Sequence, residues 1–193
     1  MRLAILNSGH RIGTKALFAI IEMASRQPLL DVVKLVKYRP DFYGNLMGMV
    51  TQETMRGPSA WSVADRELMA AYIAKNNRCE FCTGAHSAVA RLAYQDGQKV
   101  SDALLNLSTA NLDEPLKATM LMLGKLTREQ RMDAQDIKAV LVAGATVEQI
   151  EDALAVCFSF NVIGRLADAF GFAVPSPKGL ESGAKYLLSR GYR

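Results

Sequence analysis

Apolar residues recur at helical spacing along most of this chain, and the strict alternation of a half-buried strand is nearly absent. Ser62-Val63-Ala64-Asp65 makes a capping-box-like start, with Asp where Glu is usual, and DRELMAAYIAKNN then runs without Gly or Pro. Cys79 to about Tyr94 continues as helix and is expected to stop at Gly97. Asp113 and Pro115 open LKATMLMLGKLTRE, with proline in the first turn, where its missing N–H costs least. Asp133 starts AQDIKAVLVAG, which ends at Gly144, and Thr146 with Gln149 launches a long helix as far as Gly171. A last helix fits GLESGAKYLLSRG. Before residue 60, helices around Lys15–Ser25, Leu29–Val36 and Tyr43–Val50 are separated by Pro28 and Pro40.

The pattern predicts an all-α fold of antiparallel helices. It divides into an N-terminal helical segment over 1–60, a core over 61–172, and a linker with a final helix over 173–193, where AVPSPKG is the candidate hinge. The chain of 193 residues, half of them hydrophobic and 22% charged, can bury a substantial core. The Met-rich stretches MLML and NLMGMV read as core or interface packing.

A net charge of +4, with the bases dispersed, gives no footprint for nucleic acid. No window approaches the roughly 18 consecutive apolar residues of a membrane span. The apolar stretches of the N-terminus are cut by His10, Arg11, Lys15 and Glu22, which makes a poor signal peptide, so a cytoplasmic setting is expected. Three cysteines in a reducing compartment point to catalysis or metal rather than a structural disulfide framework. No glycine-rich loop follows a strand, so no dinucleotide site is expected.

The chemistry concentrates in RCEFCTGAHS, residues 78–87. At about 100° per residue, Cys79, Cys82 and His86 fall within roughly 60° of one another on one helix. Val89, Ala90 and Ala93 share that side, whereas Glu80, Ser87 and Arg91 point elsewhere. Cysteines at i and i+3 on a helix have Cα atoms about 5–5.5 Å apart, within reach of a disulfide. Cys79 sits at the helix start, where unpaired N–H groups and the helix dipole favour thiolate. His86, one turn after Cys82, can accept a thiol proton or hold a thiolate. On the preceding helix Glu67 lies on the side of Ala70, Ala71 and Ala74, the position of a buried partner for His86.

Other readings remain open. Zinc would require a fourth ligand from Glu67, His10 or Cys157, and there is no second CxxC. Cys157 otherwise reads as a small buried hydrophobe, and His10 carries no assignment. Asn161, Arg165 and Asp168 occupy consecutive turns of one helix, with Arg165 and Asp168 spaced as an i,i+3 ion pair.

Glu67, eleven intervening residues, then Cys79-x-x-Cys82-x-x-x-His86 resembles the signature of AhpD-like alkylhydroperoxidases within the carboxymuconolactone decarboxylase superfamily. The core of the resemblance covers about 50–130. A looser likeness to the longer peroxidase-related branch runs to about 172. The resemblance implies an all-α fold in homo-oligomers, often trimers or hexamers, and a dithiol antioxidant chemistry with no cofactor or metal. Cys82 would attack the hydroperoxide and Cys79 would resolve the sulfenic acid to a disulfide. Glu67 and His86 would relay protons, and an external thiol or dithiol, free or on a protein, would reset the pair. Phe81 stands where the best-known members carry a second histidine, so a disulfide reductase is implied alongside a peroxidase. The competing reading is a redox-responsive or zinc-binding structural oligomer.

Overall fold

The computed structural model describes residues 1–192 and, of Tyr43, the backbone alone. Its described residues form eleven α-helices and one π-helical turn, with no strand among them. The N-terminal segment holds α1 (Ile5–Ser8), α2 (Ile12–Ser25) and α3 (Asp31–Tyr38), the π-helical turn Pro40–Gly44, and α4 (Asn45–Arg56). The central part holds α5 (Val63–Asn76), α6 (Glu80–Tyr94), α7 (Gly97–Leu105), α8 (Glu114–Glu129), α9 (Ala134–Val142) and α10 (Val147–Phe170). The chain closes with α11 (Pro177–Arg190).

The core is built around α5, which packs on α6, α8 and α10. Its Leu68, Met69, Ala70, Ala71, Ile73 and Ala74 have no exposed surface, so this helix is surrounded on nearly every side. Small residues at 70, 71 and 74 let the neighbouring helix α6 approach closely, and Met120, Leu123, Val156 and Phe160 join Leu68, Met69, Ala70 and Ile73 in one buried cluster. α11 folds back onto α6, where Leu180 rests on Gly84.

Local chemistry sets the helix ends. Ser62 and Asp65 cap each other reciprocally at the start of α5, as do Asp133 with Asp136 and Thr146 with Gln149 at the starts of α9 and α10. α5 ends in a Schellman motif. Cys79 N–H donates to Ala74 O at 2.9 Å and Arg78 N–H to Lys75 O at 3.0 Å, while Arg78 takes the left-handed conformation at φ 60°. Cys79 is therefore the end of one helix signal and the N-cap of α6 at once, which fixes its place at the corner between two helices.

Three expected helix bounds are corrected. α6 stops at Tyr94, with Gln95 left-handed, and Gly97 opens a further helix, α7, behind the Asp96 cap. The glycine reads as a stop, but Asp96 accepting from Lys99 N–H at 2.9 Å overrides it. α4 runs on to Arg56 rather than ending at Val50, and α2 begins at Ile12 rather than Lys15. α10 is long and apolar enough to cross a membrane by length and composition, although it contains no run of 18 consecutive apolar residues. Within this fold it is a core helix, with Ile150, Ala153, Val156, Phe160 and Ala167 buried and α4, α5 and α8 packed against it.

Leu68→Ala, at a fully buried position of α5, is expected to cost about 2–5 kcal/mol in unfolding free energy by urea titration, with an unchanged m-value. A loss below about 1 kcal/mol would contradict the central placement of α5.

Candidate active site

Three helices and the C-terminal end of the chain build the site. α5 supplies Glu67 and α6 supplies Cys79 at its N-cap, Cys82 in its first turn and His86 one turn further. The structure brings the expected Glu67 and His86 together: His86 Nδ1 and Glu67 Oε2 lie 2.8 Å apart. Glu67 has no solvent exposure. An ionised carboxylate can only accept, so Nδ1 must carry the proton, and Nε2 is left as the nitrogen that can take one up. Phe160 meets the imidazole edge-on, with ring centroids 4.2 Å apart.

Two further residues complete this cluster and had no sequence signal. Arg56, at the last turn of α4, places Nη2 2.7 Å from Glu67 Oε1. Tyr192, beyond the end of α11, donates its hydroxyl to the same oxygen at 2.8 Å, and the Arg56 guanidinium lies over its ring at 5.0 Å. Gly191 adopts φ 71° to turn Tyr192 inward, and Tyr192 N–H donates to Gln52 Oε1 at 2.7 Å. Neither residue falls within the motif, and they lie 11 and 125 positions from Glu67, so only the fold unites them.

Burial alone would push the Glu67 carboxyl up, but the hydrogen bond and charge of His86 and the guanidinium of Arg56 outweigh it and hold it below the ordinary range. Tyr192, desolvated and beside that carboxylate, is driven well above its ordinary value and stays a donor.

The two thiols are free, buried and joined to the helix terminus. Cys79 Sγ accepts from Cys82 N–H at 3.5 Å. The Cys82 thiol's hydrogen bond lowers the Cys79 value, burial raises it, the Cys82 N–H lowers it, and the Asp168 carboxylate raises it; the balance is downward. Cys82 moves up for the converse reasons, led by its bond to Cys79 and then burial. Of the two thiols, Cys79 is therefore the more readily ionised and Cys82 the one that holds its proton more firmly. Leu6, Leu35, Phe81, Ala167 and Phe172 close an apolar cover around both sulfurs, with Phe81 and Phe172 edge-to-face at 5.2 Å. Among the described residues no hydrogen bond joins His86 to either thiol.

The remaining candidates lie elsewhere. Asp168 makes no ion pair with Arg165 among the described residues; its carboxylate lies instead beside Cys79, which corrects the expected i,i+3 pair. Asn161 accepts from Asn77 Nδ2 at 3.0 Å and donates to Cys157 O at 2.9 Å. Cys157 is buried, accepts from Asn161 Nδ2 at 3.2 Å, and is pushed up by burial. His10 is buried between Phe18 and Tyr38, with Nε2 2.9 Å from Lys34 O. Among the described residues no three His, Cys, Asp or Glu side chains are placed to hold a metal ion, so neither His10 nor Cys157 joins the pair as a zinc ligand.

No family model and no curated protein matches the chain. Solved structures do. An uncharacterized peroxidase-related protein from Silicibacter sp. TM1040 superposes with a TM-score of 0.77 at 23% identity, covering 93% of each chain. An AhpD-core, uncharacterized peroxidase-related protein from Ralstonia eutropha JMP134 gives 0.75 at 17% identity, over 92% of each. The debrominase Bmp8 gives 0.71 at 13% identity, over 89% of this chain and 90% of its own. At these identities the likeness is one of fold: the chain has the all-α, AhpD-like fold.

Glu67→Gln is expected to lower stability at pH 7 by about 3–5 kcal/mol, since it leaves Arg56 buried without its counter-charge. Because the folded-state value is depressed, this contribution is fully present above the unfolded value near 4.3 and is lost as pH falls through the lower folded one. The thermal midpoints of wild type and variant should therefore converge below about pH 4. Parallel midpoints down to pH 3 would contradict an ionised Glu67. Tyr192→Phe removes one donor to a charged acceptor and should cost about 1.5–3 kcal/mol.

Proposed function

We propose that the chain is a cofactor-free dithiol oxidoreductase that reduces organic hydroperoxides and is reset by thiol–disulfide exchange. The observation that carries this reading is the buried contact of Glu67 on α5 with His86, which lies on the same helix as the Cys79–Cys82 pair. Starting from the dithiol, His86 takes the Cys82 proton at Nε2 and leaves the anion on Cys82, one turn away. The Cys82 thiolate attacks the outer oxygen of the hydroperoxide, the O–O bond breaks, and the alkoxide takes a proton to leave as the alcohol. His86, held by Glu67, is the group that returns this proton through Nε2. Cys79 then attacks the Cys82 sulfenic acid, water leaves, and a disulfide closes across one helical turn. Two thiols of a reductant, small or on a protein, restore the dithiol by exchange in a reducing cytoplasmic setting. Glu67, Arg56 and Tyr192 act through His86 as positioning groups.

The apolar cover of Leu6, Leu35, Phe81 and Phe172 favours an alkyl or aryl hydroperoxide over hydrogen peroxide, because it offers contact to carbon and few polar partners. A second reaction class fits the same dithiol. Bmp8 has been crystallised as a cysteine-to-alanine variant with 2,3,4-tribromopyrrole and shares this fold at a TM-score of 0.67. A dithiol could reduce an aryl bromide, with hydrogen replacing bromine, bromide leaving and a disulfide forming.

Thiol-dependent consumption of cumene hydroperoxide tests the roles. Cys82→Ser is expected to abolish it, while Cys79→Ser should give one turnover and a sulfenic acid trapped by dimedone at Cys82. Full activity in Cys82→Ser, or the sulfenic acid on Cys79, would overturn the assignment. 2,3,4-Tribromopyrrole in the same assay, with bromide release as readout, separates the two substrate classes.

A further inference from the structure

The reaction proposed above leaves one group at the thiol pair without a role. The Asp168 carboxylate lies in hydrogen-bond contact with the Cys79 thiol. α10 passes the start of α6 so closely that a Cβ at Gly164 would lie 3.9 Å from the Cys79 Cβ, and Asp168 follows one turn later on the same face. Ala167 and Phe172, on either side of it in the chain, belong to the apolar cover over both sulfurs. Cys79 and Cys82 are each 1% exposed, whereas Asp168 is exposed, so its carboxylate joins a buried sulfur to water. Its backbone is held in place by Arg2, whose Nη1 donates to Asp168 O at 2.6 Å and to Ala169 O at 3.2 Å. The charged groups on the elements around this corner are Arg2, Asp31, Arg78, Glu80 and Arg165. Among the described residues none of them forms an ion pair with Asp168. Asp31 instead holds Lys34 Nζ at 3.0 Å and accepts from Ala173 N–H at 3.0 Å.

We propose that Asp168 is the catalytic base of the resolving step: its carboxylate takes the proton of Cys79 as the disulfide closes and returns it to the departing hydroxide. This inference rests on the dithiol reading above and adds the group that serves its second thiol. The S–H of Cys82 steadies a Cys79 thiolate in the dithiol, and it is gone once Cys82 has become a sulfenic acid. His86 is bound to Glu67 and makes no hydrogen bond to either thiol among the described residues. Cys79 therefore meets this step in an apolar cover, with the Asp168 carboxylate as the proton acceptor in contact. Cys79 Sγ attacks Cys82 Sγ as its proton passes to that carboxylate. The S–S bond forms, the S–O bond breaks, and the hydroxide takes the proton from the Asp168 carboxyl and leaves as water. The Cys79 sulfur is oxidised and the Cys82 sulfur reduced, so closure needs no further oxidant. A carboxylate acting only as a nearby charge would hold the Cys79 thiolate back, and removing it would speed closure. Removing a base slows closure, so the two roles differ in sign.

Single-turnover closure in the wild type and in Asp168→Asn tests it. Fully reduced protein is given about one equivalent of cumene hydroperoxide at about pH 6–9, a range that brackets the ordinary thiol value. Dimedone traps the Cys82 sulfenic acid, and mass spectrometry after alkylation follows the Cys79–Cys82 bridge. Near pH 7 the variant is expected to close about 10-fold more slowly or worse, with a longer-lived sulfenic acid. Its rate should climb about tenfold per pH unit with the Cys79 thiolate fraction, so that the gap to the wild type narrows towards pH 9. Closure at the wild-type rate or faster near pH 7 overturns the proposal. Slowing by the same factor at every pH, the mark of a merely structural role, also overturns it. Diamide, which oxidises dithiols without peroxide, separates this inference from the one it rests on. A chain inert to hydroperoxide whose diamide-driven closure is slowed by Asp168→Asn loses the peroxidase reading and keeps the base. Hydroperoxide consumption with closure unaffected by the substitution keeps the peroxidase reading and loses the base.

Discussion

A carboxylate with no access to water must be matched by donors, and that requirement organises this protein around Glu67. Three groups converge on it: the imidazole of His86 on one oxygen, and the guanidinium of Arg56 and hydroxyl of Tyr192 on the other. They come from α6, the end of α4 and the residues after α11, so satisfying one charge ties three distant parts of the chain together. Leaving any donor out strands a buried charge, which is more costly than the gain of forming the pair in the first place. The arrangement also sets a tautomer. With Nδ1 committed to the carboxylate, His86 can exchange a proton only through Nε2.

The thiols depend on a second local device, the shared corner between α5 and α6. The Schellman end of α5 and the N-cap of α6 meet at Cys79, so its sulfur faces the backbone N–H of Cys82. A helix N-terminus favours the anion there, and the thiol of Cys82 adds a hydrogen bond to it. Phe81 contributes to the apolar cover with Phe172 and offers no proton site. In the proposed reaction the proton traffic at Cys82 falls to His86. The solved structures that superpose on the chain, a debrominase among them, share its fold, and fold alone does not choose between a peroxide and a halide.

Much of this was legible in the sequence because it depends on short-range spacing. Helical periods, the caps at Ser62, Asp133 and Thr146, and the one-sided placement of Cys79, Cys82 and His86 are all local, and so is the Ala-lined strip that marks Glu67 as buried. What escaped was set by tertiary contact. Arg56 and Tyr192 look like an ordinary helix-end base and a terminal aromatic until the fold brings them to one oxygen. Asp168 reads as the partner of Arg165 by spacing, yet it lies beside Cys79 because α10 crosses the start of α6 there, where Gly164 comes closest to Cys79 Cβ. α7 was hidden by a glycine whose role the preceding Asp96 cap reversed.

The central claim is that Cys79 and Cys82 act as one redox unit served by the Glu67-bound His86. The most direct measurement is to reduce the protein fully, add about one equivalent of an organic hydroperoxide, and map disulfides by mass spectrometry against time. The account predicts rapid loss of two thiols with a single Cys79–Cys82 bridge, while Cys157 stays reduced. Slow oxidation scattered over all three cysteines, at the rate of an unactivated thiol, would contradict it.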